Sequence, residues 1–204
     1  GDNMTIDMDD MINSILESVS RIDYVRPRSI PDIDLYMDQV TTFMETQLKS
    51  SKRYPDDKIL TKTMINNYAK NNLLPPPVKK KYSKEHVLVL IFIYYFKGFL
   101  AIKDIEKILK PLTDRYFSTD ETFDMTALYE EVCQMEKSRI NGLKEELKEL
   151  YQLSEDSCSG AKEEDKEYLQ YFTFLCSLSF DVYVKKLLIE KLIDEMPGHD
   201  SMTP

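Results

Sequence analysis

Leu73–His86 reads LLPPPVKKKYSKEH, and its reading decides the fold of the chain around it. Three consecutive prolines donate no backbone hydrogen bond and hold the chain extended. Lys79, Lys80 and Lys81 follow, then Tyr82, so VKKKY is expected to form a short two-stranded ribbon or loop at a domain edge. Three adjacent lysines repel one another there. They are accounted for beside a dense anionic polymer, where each phosphate contact releases counterions. Ser83 then caps a helix, and Glu85 sits in its first turn, where the macrodipole favours an acid. The apolar run VLVLIFIYYF carries that helix to Lys97, and Gly98 is expected to stop it.

On the N-terminal side lies ILTKTMINNYAKNNLL. Thr61 is a good N-cap for a short helix, with Met64, Ile65, Tyr68 and Ala69 on one face and Lys62, Thr63, Asn66, Asn67 and Lys70 largely elsewhere. Asn71 and Asn72 suit the left-handed turn that ends it. The exposed set suits phosphate contacts, and asparagine suits the edge of adenine in the major groove. A recognition helix followed by a basic projection is the order of parts in a winged helix-turn-helix. The candidate DNA-binding residues are therefore Lys62, Thr63, Asn66, Asn67, Lys70, Lys79, Lys80, Lys81 and Tyr82. Tyr82 is read first as a packing anchor for the projection.

The rest of the chain is also helical in pattern. MDDMINSILESV places Met11, Ile12, Ile15, Leu16 and Val19 at amphipathic spacing. Pro27 and Pro31 make RPRSIPDID a connector, after which Asp32 or Asp34 is expected to cap a helix to about Gln47 that buries Leu35, Val40, Phe43 and Met44. SSKRYPDDK reads as a polar loop. Ile102–Lys110 predicts a helix with Ile102, Ile105, Ile108 and Leu109 inward, ended by Pro111. Further on, Ile140, Leu143, Leu147 and Leu150 form a 3-4-3 seam, LSEDSCSGAKEED a loop, and Tyr168–Met196 a long helix that is apolar nearly all round in its first half.

The net charge of -9 argues against a nucleic-acid partner, but it is not evenly spread. Residues 49–115 carry 15 Lys and Arg against 6 Asp and Glu, and both flanks are acidic. Cys133, Cys158 and Cys176 show no paired spacing, so neither a disulfide framework nor a metal set is expected. The N-terminus lacks a signal-peptide pattern, and the apolar runs Val87–Phe96 and Tyr168–Phe180 are shorter than the roughly 20 residues of a membrane span. A soluble cytoplasmic protein without a membrane association is expected. His86 reads as structural and His199 lies in a tail. With two isolated histidines, no glycine-rich phosphate loop and no distinguished carboxylate pair, neither an enzyme nor a cofactor is expected.

LTKTMINNYAKNNLLPPPVKKKYSKEHVLVLIFIYYFKGFLAIKDIEKIL resembles the DNA-binding domain of the MerR family of bacterial transcription regulators. MINNY stands at the family's second-helix core, NNLLPPP at its turn, KKKYSKEH at its basic wing and GFLAIKDIEKIL at its last helix. The chain as a whole is similar to a group of uncharacterised bacterial proteins with a MerR-like domain of unknown function, through LYMDQV and LTKTMINNYAK. The resemblance covers roughly Pro31–Pro111. It departs from the MerR pattern in two places. Asn66 replaces the usual arginine, and the loop between the first two helices is longer.

The resemblance implies an all-α protein with a small β-ribbon wing. Residues 1–30 would be an acidic helical extension, 31–111 a MerR-like winged helix-turn-helix and 112–204 a helical dimerisation or effector region. The expected function is DNA-binding transcriptional regulation. The partners would be double-stranded DNA, a second copy joined through Ile140, Leu143, Leu147 and Leu150 with help from Phe172, Leu175, Val184, Leu188 and Leu192, and an unknown small-molecule effector. The alternative is a non-catalytic adaptor that keeps the winged-helix fold but meets an acidic protein.

Overall fold

The computed structural model describes residues 8–19 and 25–197, and it is mostly helical with one two-stranded sheet. His199 lies outside the described residues. The chain divides into two compact units, one holding described residues 25–133 and 189–197, the other 8–19 and 134–188. The breaks expected after residues 30 and 111 do not coincide with that division.

The first unit is built around α4 (Lys84–Phe96). Every residue from His86 to Ile93 is buried, so the helix has no solvent face along those two turns. Around it stand β1 (Leu35–Tyr36), α2 (Met37–Gln47), α3 (Lys62–Lys70), β2 (Lys81–Tyr82) and α5 (Ile102–Tyr116). They contribute Leu35, Val40, Met44, Ile65, Tyr68, Tyr82, Ile105 and Leu109 to the core. The start of α6 (Met125–Glu155) adds fully buried Met125 and Tyr129. The Tyr129 ring packs edge-on against Phe92 at 5.7 Å and its hydroxyl donates to the Val25 carbonyl.

Two of three boundaries differ from expectation. Neither Asp32 nor Asp34 caps α2. Tyr36 stands at the cap, Gln39 Oε1 accepts its N–H at 2.9 Å, and Asp32 instead pairs with Lys84 at 2.9 Å. α4 does end before Gly98 as its sequence predicts, its last helical residue Phe96 and its C-cap Lys97. Pro111 lies inside α5, where it removes only the bond its own N–H would have made to the Lys107 carbonyl. The turn beyond it is held from outside: Phe117 packs on His86 at 4.8 Å, and Glu85 accepts the Ser118 N–H at 2.9 Å.

In the second unit, α1 (Met8–Val19) buries Ile12 and Leu16 with Phe174 of α7 (Glu163–Glu195). Leu147, Leu150 and Tyr151 of α6 and Leu178 of α7 pack against that cluster. Ile15, expected on the apolar face of α1, is half exposed. Polar contacts close the bundle: Tyr151 donates to Asp9 at 2.7 Å, and Lys144 pairs with Glu17. Among the described residues no helix is long and apolar enough to cross a membrane.

Candidate nucleic-acid interface

Thr61 caps α3 as its sequence predicts, its hydroxyl accepting the Met64 N–H at 3.1 Å. From that start, the 3.6-residue period sets Ile65 and Tyr68 into the core. Lys62, Thr63, Asn66, Asn67 and Lys70 are all exposed, on a single face of the helix. Asn72 takes the left-handed conformation at φ 61°, while Asn71 remains at φ -95°. The Leu73 and Leu74 N–H groups both reach the Tyr68 carbonyl, and both leucine side chains are buried.

The proline run is anchored rather than free. His86, at the third position of α4, accepts the Ser83 N–H on Nδ1 at 2.9 Å, which leaves the proton on Nε2 to be donated to the Pro76 carbonyl at 3.1 Å. His86 is buried, and burial holds its pKa below the usual value. The histidine thus does two jobs, reaching back to the cap and clamping the extended segment.

After the prolines the chain reverses. Val78 and Lys81 exchange both backbone hydrogen bonds at 3.0 Å, and the two residues between them, Lys79 and Lys80, have φ of 52° and 64°. This is the geometry of a two-residue hairpin turn, a position that asparagine and glycine normally fill. Each lysine bears a left-handed conformation that costs about 1–2 kcal/mol for a residue with a Cβ. Both are exposed. Residues 81–82 then pair antiparallel with β1, Leu35 opposite Tyr82 and Tyr36 opposite Lys81.

Not every expected contact residue is available to a ligand. Tyr82 is only 3% exposed, its ring edge-on to His86 at 5.4 Å, so it is an anchor and not a DNA contact. Lys81 is half buried, its Nζ 5.1 Å from the centroid of the Tyr36 ring. Lys62 is exposed but forms an ion pair with Asp38. Two residues that sequence reasoning passed over therefore join the separate parts. Tyr36 holds Lys81 of the hairpin and Asp38, two residues on, holds Lys62 of α3. The only signal for them was their place in LYMDQV.

A second feature of this unit had no forewarning in the sequence. An open cleft of about 530 Å³ is lined by Ser51, Lys52, Asp57, Lys58, Ile59, Tyr94, Tyr95, Lys97 and Gly98. Two of its cations have partners: Lys52 pairs with Glu45, and Lys97 lies over the Tyr94 ring at 5.6 Å. Of the residues expected at a dimer contact, Ile140 and Leu143 are half buried, and Leu147 and Leu150 pack within their own unit. Cys133 and Cys158 are half buried and Cys176 is exposed.

A family model described as "Domain of unknown function (DUF1836)" matches residues 25–132. No curated protein and no solved structure matches the chain.

Proposed function

The chain belongs to the DUF1836 family, and for this member we propose binding of double-stranded DNA as a bacterial transcription regulator, acting as a homodimer in the cytoplasm. In this reading the first unit is a winged helix-turn-helix of the MerR-like kind, with α2 and α3 as the helix pair and residues 78–81 as the wing tip. It is non-catalytic and needs no cofactor. One arrangement carries the reading: Tyr36 and Asp38 tie the exposed polar face of α3 to a hairpin whose tip is two lysines in unfavourable backbone conformations. Strain retained at an exposed tip points to a role other than stability. Asn66 and Asn67 would read base edges, Thr63 and Lys70 would flank them, and Lys79 and Lys80 would meet phosphates. Lys62 would join them by exchanging Asp38 for a phosphate.

The Lys62–Asp38 pair also gives the adaptor reading a footing, since it neutralises one cation on the candidate face and Asn66 supplies none. Fluorescence anisotropy on genomic fragments over a salt series separates the two. Regulation predicts an affinity that falls steeply with salt and differs between fragments. An absence of salt-sensitive binding at low ionic strength rejects it.

A further inference from the structure

The outer face of α7 carries more apolar surface than its own unit covers. Tyr168, Phe172, Cys176, Phe180, Val184 and Leu188 recur every four residues and form one ridge, and every member is exposed. Beside it Ser179, Tyr183 and Leu187 are also exposed, and none of these side chains is charged. Phe174 and Leu178, by contrast, face the cluster with Ile12 and Leu16, so this helix already has its inner packing.

The area approaches what an interface needs. Phe172, Phe180 and Tyr183, on one side of the helix, are 49%, 65% and 63% exposed and leave on the order of 350 Å² at roughly 150–250 Å² a ring. Val184, Leu187 and Leu188 extend this toward the roughly 800 Å² that each side of a standard interface buries. Contiguous apolar patches beyond a few hundred Å² are uncommon on monomers.

We propose that a second copy of this chain covers this face, the two α7 helices running antiparallel with Phe180 near the twofold axis. A ridge repeating every four residues seats in the groove beside the same ridge of an identical helix, so the surface is complementary to itself. Orientation follows from the helix macrodipoles, which parallel pairing would align and antiparallel pairing opposes. Cys176 then faces Val184 of the other copy. The proposal deepens the homodimer reading and is independent of DNA binding. It also differs from the expected seam on α6, where Leu147 and Leu150 are already in use.

Light scattering on the full chain at micromolar concentration should give twice the 24.0 kDa chain mass. Phe180→Glu with Leu188→Glu should return it to the single mass with helicity kept. In a Cys133→Ser, Cys158→Ser background, mild oxidation should cross-link two copies only when Val184→Cys is added, through native Cys176. A single mass for the unaltered chain overturns the proposal, as does a dimer that survives the double glutamate variant. Cross-linking through Cys176 alone overturns the antiparallel arrangement. If the glutamate variants lose helicity, the cross-linking pattern decides.

Discussion

The Nε2 of His86 stands 3.1 Å from the carbonyl oxygen of Pro76, ten residues earlier, and this bond fixes the start of α4 to the triproline segment. It requires the neutral ring, because Nδ1 already faces the Ser83 N–H as an acceptor. A second ring proton would put two donors against each other. Burial lowers the folded pKa from 6.5, so between that depressed value and 6.5 the unfolded chain binds more protons. The stability that His86 contributes is thus fully present above about pH 6.5 and is lost as pH falls through the folded value. Urea midpoints across this range should fall with pH, and His86→Ala should flatten the trend and cost about 1–3 kcal/mol at neutral pH. Glu85, whose carboxyl is pushed up by burial, contributes in the opposite sense above 4.5, so the difference between the two proteins isolates the histidine.

Thr61→Ala should destabilise the first unit by about 1 kcal/mol, because the Met64 N–H loses its acceptor. Thr61→Ser should restore most of that stability. Denaturant midpoints measure both.

The contrast between Thr61 and Pro111 shows what the sequence could convey. A cap is a local device: Thr61, the following polar turn and the period of Ile65 and Tyr68 all lie within eight residues, and the α3 boundaries were legible. The continuation of α5 past Pro111 depends on Phe117 reaching His86 and Ser118 reaching Glu85, 31 and 33 residues away, and no local signal announces such contacts. The candidate site divides the same way. The exposed face of α3 follows from helical period alone, whereas Lys62 meeting Asp38 and Lys81 meeting Tyr36 depend on how β1 and β2 pair. Tyr82 was open to two readings until its burial was known, since a tyrosine beside lysines suits both an anchor and a contact.

Replacing Lys79 by Asn and Lys80 by Gly should move stability and DNA affinity in opposite directions. Asparagine and glycine accept the left-handed conformations at φ 52° and 64° more readily than lysine, so the turn should gain about 1 kcal/mol in a denaturation experiment. The same change removes two cations from the tip. The slope of log affinity against log salt should become shallower by about 1 for each phosphate that is no longer neutralised, with little change in preference among fragments.

Asn66→Ala and Asn67→Ala should act the other way on DNA. Both side chains are exposed on α3, so folding should be little changed. Removing a bidentate bond to adenine should cost about 1–3 kcal/mol on the preferred fragment and much less on others, leaving the salt slope as it was. Competition binding with preferred and random fragments checks this, and equal weakening on both would assign the asparagines to the backbone instead.

Asp38→Asn tests whether the ion pair on the candidate face restrains binding. The Lys62 and Asp38 side chains are 61% and 77% exposed, so their attraction is screened and the variant should unfold at nearly the same denaturant concentration. Its effect on DNA should be larger. The substitution frees Lys62 at the first turn of α3 and removes a carboxylate that would repel phosphates, and both changes strengthen association. Affinity at low salt should rise severalfold, and the salt slope should steepen by about 1, as for one further neutralised phosphate. Adding Lys62→Ala to the same chain should abolish the steepening while keeping part of the higher affinity, because the repulsive carboxylate remains absent. Were Asp38→Asn to weaken DNA binding, the pair would be holding α3 in its binding position rather than masking a cation. The double variant would then bind no better than Asp38→Asn alone.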